Sequence, residues 1–181
     1  MRQGWLMWRG AIGKDTIAKI EKTAAQVQRR AATTKKSQEK VTDSRVSEIA
    51  WLSDQYWLRD LLFGFVMEAN RIAFGVDVEN VADIQYTEYH GDRKGTFDWH
   101  NDVIWTEERS FDRKVSITVQ LSDPSEYAGG AFEFSDWPTP ENSRQQGTVL
   151  VFPSYLTHRV APVSNGTRRS LVAWFEGPRW R

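Results

Sequence analysis

The chain has 181 residues, against a usual domain size of about 150, and reads as one compact unit with at most a small appendage. Its 24 Lys and Arg balance 24 Asp and Glu, so it lacks the broad basic field of a protein held mainly by phosphate contacts. It has no cysteine, which excludes disulfides, thiolate nucleophiles and cysteine-ligated zinc or iron–sulfur sites, and leaves His and carboxylate to hold any metal. The apolar opening, Met1 to Arg9, breaks off too soon for a signal peptide. No apolar run approaches the roughly 18 to 20 residues of a membrane span, so a soluble, cytoplasmic protein is expected.

Asp15 or Thr16 is placed to cap a first helix, in which Ile17, Ile20, Ala24 and Val27 recur at three- and four-residue spacing as far as about Ala32. Arg29 to Arg45, with six basic and two acidic residues and almost nothing apolar, reads as a solvated loop. A second helix is predicted from about Asp54 to Phe74, where Trp57, Leu58, Leu61, Leu62, Phe65, Val66 and Ala69 form a wide apolar face that must cover a sheet.

From Val81 the texture changes to short β-type runs separated by Gly, Pro, Asp and Ser. The predicted strands are Ala82 to Tyr89, Thr96 to Trp99, Lys114 to Leu121, Ala131 to Phe134, Thr148 to Phe152, Thr157 to Val160 and Arg169 to Phe175. That pattern predicts a mostly β (α+β) fold, with residues 1–80 as helical support on one face of a jelly-roll core over residues 81–178. In Lys114 to Leu121, Val115, Ile117, Val119 and Leu121 alternate with Ser116, Thr118 and Gln120. The polar face meets either bulk water or a polar cavity inside a barrel, and composition leaves both open.

The chemistry rests on few residues. There are three histidines, and His100, Asp102 and His158 form a pattern suited to divalent iron. Residues two apart on an extended strand point the same way, so His100 and Asp102 reach one ion, and a histidine from a neighbouring strand completes the face. Two imidazoles and one carboxylate occupy three positions of an octahedron and leave three open for a chelating cosubstrate and dioxygen.

Downstream lies the run Gly147-Thr148-Val149-Leu150-Val151-Phe152-Pro153-Ser154, followed by His158, Pro162-Val163 and Gly166-Thr167-Arg168-Arg169-Ser170-Leu171-Val172-Ala173-Trp174. With His100-x-Asp102 upstream and Tyr127-x-Gly129-Gly130 between, this resembles the iron(II)- and 2-oxoglutarate-dependent oxygenases, most closely their prolyl 4-hydroxylase-like branch. The resemblance covers about Val81 to Pro178 and implies a double-stranded β-helix, the jelly roll of that family. It implies that His100, Asp102 and His158 ligate iron(II) and that Arg168 anchors the far carboxylate of 2-oxoglutarate. A planar, always-charged guanidinium suits that task. Alternation puts Arg168, Ser170, Val172 and Trp174 on one strand face and turns Arg169 away, although a one-residue slip would exchange Arg168 and Arg169.

The family tyrosine near the cosubstrate falls on Tyr89, with Tyr86 competing for the role. Where the family often has a further tyrosine, this chain has Gln120, so Ser170, Gln120 and Trp174 join Tyr89 and Arg168 as the expected cosubstrate contacts. His90 reads as a loop residue. Two mouth loops, Val103 to Arg113 and Ser135 to Gln146, read either as specificity elements or as plain connections, the first matching the family's flexible finger.

The activity implied is hydroxylation of prolyl residues in a peptide or protein, with dioxygen consumed and succinate and CO2 released. The resemblance also admits ascorbate as an auxiliary reductant. Alternatives are the same chemistry on a free amino acid, another side chain or a nucleobase, and a non-catalytic jelly-roll module that binds a metal or sugar. The neutral charge argues against a nucleic-acid partner, and no membrane partner is expected.

Overall fold

The alternating strand of the sequence determines the architecture. In the computed structural model, which describes residues 4–32, 44–103, 105, 109–138 and 140–181, that strand buries both of its faces. The chain enters through β1 (Leu6–Trp8), α1 (Lys14–Ala25) and the short strands β2 (Arg30–Ala31), β3 (Arg45–Val46) and β4 (Glu48–Trp51). α2 (Tyr56–Ala69) and a π turn (Asn70–Phe74) lead into β5 (Ala82–His90), β6 (Thr96–His100) and β7 (Phe111–Gln120). The remainder is β8 (Tyr127–Gly129), β9 (Phe132–Phe134), β10 (Val149–Pro153), β11 (His158–Val160) and the long β12 (Val163–Pro178).

The strands form two antiparallel sheets. The larger runs β1-β10-β7-β12-β5-β4-β2, with β8 also pairing β12, and the smaller runs β3-β6-β11-β9. This is the mostly β jelly roll with two helices that the sequence predicts. Val115, Ile117 and Val119 of β7 join Ile84, Leu171, Ala173 and Phe175 on the outer face of the larger sheet, where they pack under Ile17, Ile20, Leu58, Leu62 and Val66 of the helices. The inner face meets the smaller sheet through a second, aromatic cluster that includes Tyr89, Tyr127, Phe132, Phe134 and Phe152. The polar residues of β7 face this interior: Ser116, Thr118 and Gln120 are 0%, 8% and 4% exposed, so the cavity reading holds and the water reading does not.

Several local expectations are corrected. α1 stops at Ala25 rather than near Ala32, and its N-cap is Gly13 rather than Asp15 or Thr16. The sheet edge takes the chain over: Arg29 pairs with Glu88 at 2.6 Å, and Arg30 and Ala31 hydrogen-bond along β4. Among the described residues, four strands lie within the first 80, where only a helical layer was expected. Each is two to four residues long, too short to show a period. The expected solvated loop from Arg29 to Arg45 begins and ends in sheet, and residues 33–43 lie outside the described residues. β12 is 16 residues long rather than seven, because its first residues, from Val163 to Gly166, pair with β8. Gly147, at φ 76°, leads into β10 where a Cβ would collide with the Ile12 carbonyl oxygen, so that position admits only glycine.

Among the described residues no helix is long and apolar enough to cross a membrane. The helical cover carries much of the stability, because α2 buries Leu58, Leu62, Val66 and Ala69 against the sheet. Leu62→Ala is expected to cost about 2–5 kcal/mol in urea unfolding. A loss below about 1 kcal/mol would mean that α2 does not hold the sheet.

Candidate metal centre and cosubstrate pocket

His100 ends β6 and His158 begins β11, and the two are direct cross-strand partners, which sets their ring centroids 4.3 Å apart. Asp102, two residues on, is turned to the same centre, its backbone N–H donating to the Ser154 carbonyl at 2.8 Å. Its Oδ1 lies 3.7 Å from His100 Nε2 and its Oδ2 3.6 Å from His158 Nε2, too long for hydrogen bonds. One ligand atom from each of the three residues falls within 4.8 Å of the other two.

The protonation states follow from the partners. Each imidazole faces a backbone carbonyl with Nδ1, Asp98 at 2.7 Å for His100 and Leu156 at 2.9 Å for His158. A carbonyl only accepts, so the proton sits on Nδ1 and the Nε2 lone pair is left for the shared centre. Burial, reinforced by neighbouring His158, pushes His100 down to about 4, which keeps its ring neutral at physiological pH. Burial alone would raise the Asp102 carboxyl. The facing His158 and His100, and the Ser116 hydroxyl donating to Oδ2 at 2.6 Å, outweigh it and hold the group below its usual range. Two imidazoles with their Nε2 atoms turned to one point and one carboxylate, none hydrogen-bonded to another, are a donor set that fits divalent iron.

Beside this centre is a narrow cleft with about 30 Å³ of free space. Arg168, Ser170, Val172 and Trp174 of β12 all line it, while Arg169 points outward to Glu126 at 2.6 Å and Glu21 at 3.2 Å. Arg168 is 4% exposed, with Nη1 3.5 Å from Ser170 Oγ and its guanidinium 5.5 Å from the Tyr89 ring centre. Gly130 makes room for it, since a Cβ there would come within 3.0 Å of Arg168 Cδ.

Tyr89 lines the cleft, whereas Tyr86 lies under the helices and donates to Glu88 at 2.9 Å. Gln120 is not part of the lining. Its amide donates to the Ser122 carbonyl and the Tyr127 hydroxyl, both at 3.1 Å, which fastens β7 to the segment before β8.

His90 closes β5 rather than lying in a loop, with Nδ1 3.2 Å from Thr167 Oγ1. With Glu48 and Glu88 it forms a second close group, but Arg29 and Arg93 neutralise those carboxylates at 2.6 Å each, so it is an ion-pair network. In the first mouth loop, residues 104 and 106–108 lie outside the described residues, and the expected finger rests partly on them. The second loop is packed rather than free: Trp137 joins the aromatic core and Arg144 donates to the Tyr127 carbonyl at 2.9 Å.

Arg45, Gln85 and Phe97 also line the cleft and were not expected there, whereas Thr118, likewise in the lining, lies on the polar face for which a cavity was one of two readings. Arg45 carried no signal, because a charge count cannot separate a guanidinium held over a ring from one in water.

A family model described as the 2OG-Fe(II) oxygenase superfamily matches residues 84–176, just over half of the chain. A PKHD-type hydroxylase of Idiomarina loihiensis is 35% identical over 63 residues, covering 34% of this chain and 29% of the relative. One from Synechococcus is 31% identical over 86 residues, covering 47% and 38%. The match thus spans about a third of the length of these curated relatives. Among solved structures, a viral collagen prolyl hydroxylase from Paramecium bursaria Chlorella virus-1 superposes with a TM-score of 0.70 at 15% identity over 97% of both chains. A Pseudomonas putida prolyl-4-hydroxylase gives 0.70 at 18% identity, over 98% of this chain and 94% of that one. The structural likeness speaks for the jelly roll, and the family match, laid over β5 to β12, speaks for descent: the chain belongs to the 2OG-Fe(II) oxygenase superfamily.

Proposed function

We propose that this chain is an iron(II)- and 2-oxoglutarate-dependent oxygenase that hydroxylates a prolyl residue of a peptide or protein. The observation that carries the oxygenase reading is the convergence of His100, Asp102 and His158 beside a cleft that holds Arg168. The prolyl target is supported by the likeness in fold to prolyl hydroxylases. One of these, from Trichoplax adhaerens, was solved with a hypoxia inducible factor peptide and has a TM-score of 0.69 at 14% identity.

In this reading His100, Asp102 and His158 hold iron(II), which, with 2-oxoglutarate and dioxygen, supplies the oxidising power for insertion into a C–H bond. The remaining work is done by the chain. Asp98 and Leu156 fix the ring tautomers, and Ser116 orients the carboxylate. Arg168 pairs with the far carboxylate of 2-oxoglutarate, Ser170 adds a hydroxyl, and Tyr89 supports the guanidinium. Phe132 and Phe152, whose ring centres lie 5.3 and 4.8 Å from that of His158, keep water from the centre.

Three substitutions test the assignment. Asp102→Ala is expected to abolish tight iron(II) binding in anaerobic titration, and unchanged affinity would move the metal elsewhere. Ser116→Ala, which keeps all three ligands, should weaken iron(II) by roughly 10- to 100-fold. Arg168→Ala should cost 2-oxoglutarate at least about 2 kcal/mol, roughly thirtyfold, with iron(II) affinity little changed. Equal losses of both would indicate unfolding. The prolyl target is tested by mass spectrometry on proline-containing peptides, where a gain of one oxygen dependent on 2-oxoglutarate is expected. Succinate formation without any modified peptide would refer the chemistry to another substrate.

A further inference from the structure

Arg45 emerges from β3 into the cleft, where its guanidinium carbon lies 4.4 Å from the centre of the Phe97 ring. Phe97 in turn stacks on His100 at 3.5 Å, so this cation stands one ring away from the centre formed by His100, Asp102 and His158. Its position is fixed by neutral groups: Nε donates to Ser47 Oγ at 3.1 Å and Nη2 to Gln85 Oε1. Among the described residues it has no ion-pair partner, unlike the neighbouring Arg113, which holds Asp83 at 3.1 Å. Gln85 is the cross-strand neighbour of Val172, two residues before Trp174 on the same face of β12. Trp174 is 5% exposed, and its indole N–H has no acceptor among the described residues.

The charge balance of the cleft has a sign. Asp102 is the one carboxylate among the described lining residues, against two guanidiniums, Arg45 and Arg168. Iron(II) and the 2-oxoglutarate dianion together add no net charge. One positive charge is therefore left over, in a pocket walled by aromatic rings where an unpaired ion is costly. An arginine held over a ring by neutral partners, in the same cleft as an unused N–H donor, is a receptor for an oxyanion.

We infer that Arg45, with the Trp174 indole N–H in the same cleft, binds a carboxylate of the substrate close to the carbon that is oxidised. The inference rests on the oxygenase reading above and narrows its substrate class to acids. The carboxylate belongs either to the target residue itself, as in a free or C-terminal amino acid, or to an acidic side chain next to it.

The test uses the full chain loaded anaerobically with iron(II) and 2-oxoglutarate, and reads binding as the shift of the visible charge-transfer band. The probes are N-acetylproline against N-acetylprolinamide, and the blocked dipeptides Pro-Glu against Pro-Gln. Wild type should bind one of the two acids at least about tenfold more tightly than its amide, and the responding pair identifies the source of the carboxylate. Arg45→Met should reduce that preference to less than about threefold, while melting temperature and 2-oxoglutarate affinity stay as in wild type. Trp174→Phe keeps the ring and removes only the N–H, and should lower acid binding several-fold; it decides the matter if Arg45→Met does not fold. Acid and amide binding alike, neither pair binding, displacement of 2-oxoglutarate by the acid, or loss of 2-oxoglutarate affinity in a folded Arg45→Met would each overturn the inference. Acid preference without oxidation of any prolyl probe retains the inference and removes the prolyl target. Oxidation of the amides as readily as the acids does the reverse.

Discussion

Strand β12 is hydrogen-bonded along both edges, to β5 from Thr167 to Phe175 and to β7 from Ser170 to Pro178. A strand held from two sides cannot slide by one residue without breaking both ladders and sending every side chain to the opposite face. That register sends Arg168, Ser170, Val172 and Trp174 into the cleft and leaves Leu171, Ala173 and Phe175 under the helices. The apolar set is thus the anchor of the polar one: α1 and α2 cover the outer face, and in doing so they fix where the inner arginine points.

The interior of the jelly roll has a consistent electrostatic design. Its ionisable groups stand among Phe97, Phe132, Phe134 and Phe152, which strengthens every charge interaction and penalises every unmatched one. Asp102 is held below its usual range by the facing imidazoles, which attract it as they take up protons, and by a serine hydroxyl, while burial keeps His100 neutral at physiological pH. Each group is thereby held in the state a divalent cation requires before one arrives. Burial pulls the Arg45 guanidinium below its ordinary value, against the opposing pull of Tyr89 and Asp102. Arg45 and Arg168 outnumber the one carboxylate, Asp102, among the described lining residues.

Much of this was legible from period and spacing. The alternation of Val115 to Leu121 announced a two-faced strand, and the same rule applied to Arg168 and Arg169 separated a buried cation from a surface ion pair. The second helix was legible because its apolar face runs for many turns. What stayed hidden has physical reasons. The strands of two to four residues at Leu6, Arg30, Arg45 and Glu48 form only because the edges of β10, β5, β4 and β6 present unpaired backbone, and no local propensity encodes that. From sequence His90 reads as a loop residue, yet it is the last residue of β5. Arg45 was assigned to solvent by the charges around it, and only the fold brings Phe97 and Gln85 to it.

The Ser116 hydroxyl touches both Ser154 at 2.9 Å and Asp102. Ser116 and Ser154 belong to the larger sheet and its β10 exit, whereas Asp102 leaves the smaller sheet. That short chain of oxygens therefore measures the gap between the sheets. The spacing is set by the aromatic filling, so a change of volume at Phe132 or Phe152 would alter the stance of the carboxylate without touching it. The core acts here as a gauge block for the chemistry, and its packing tolerance becomes the tolerance of the site.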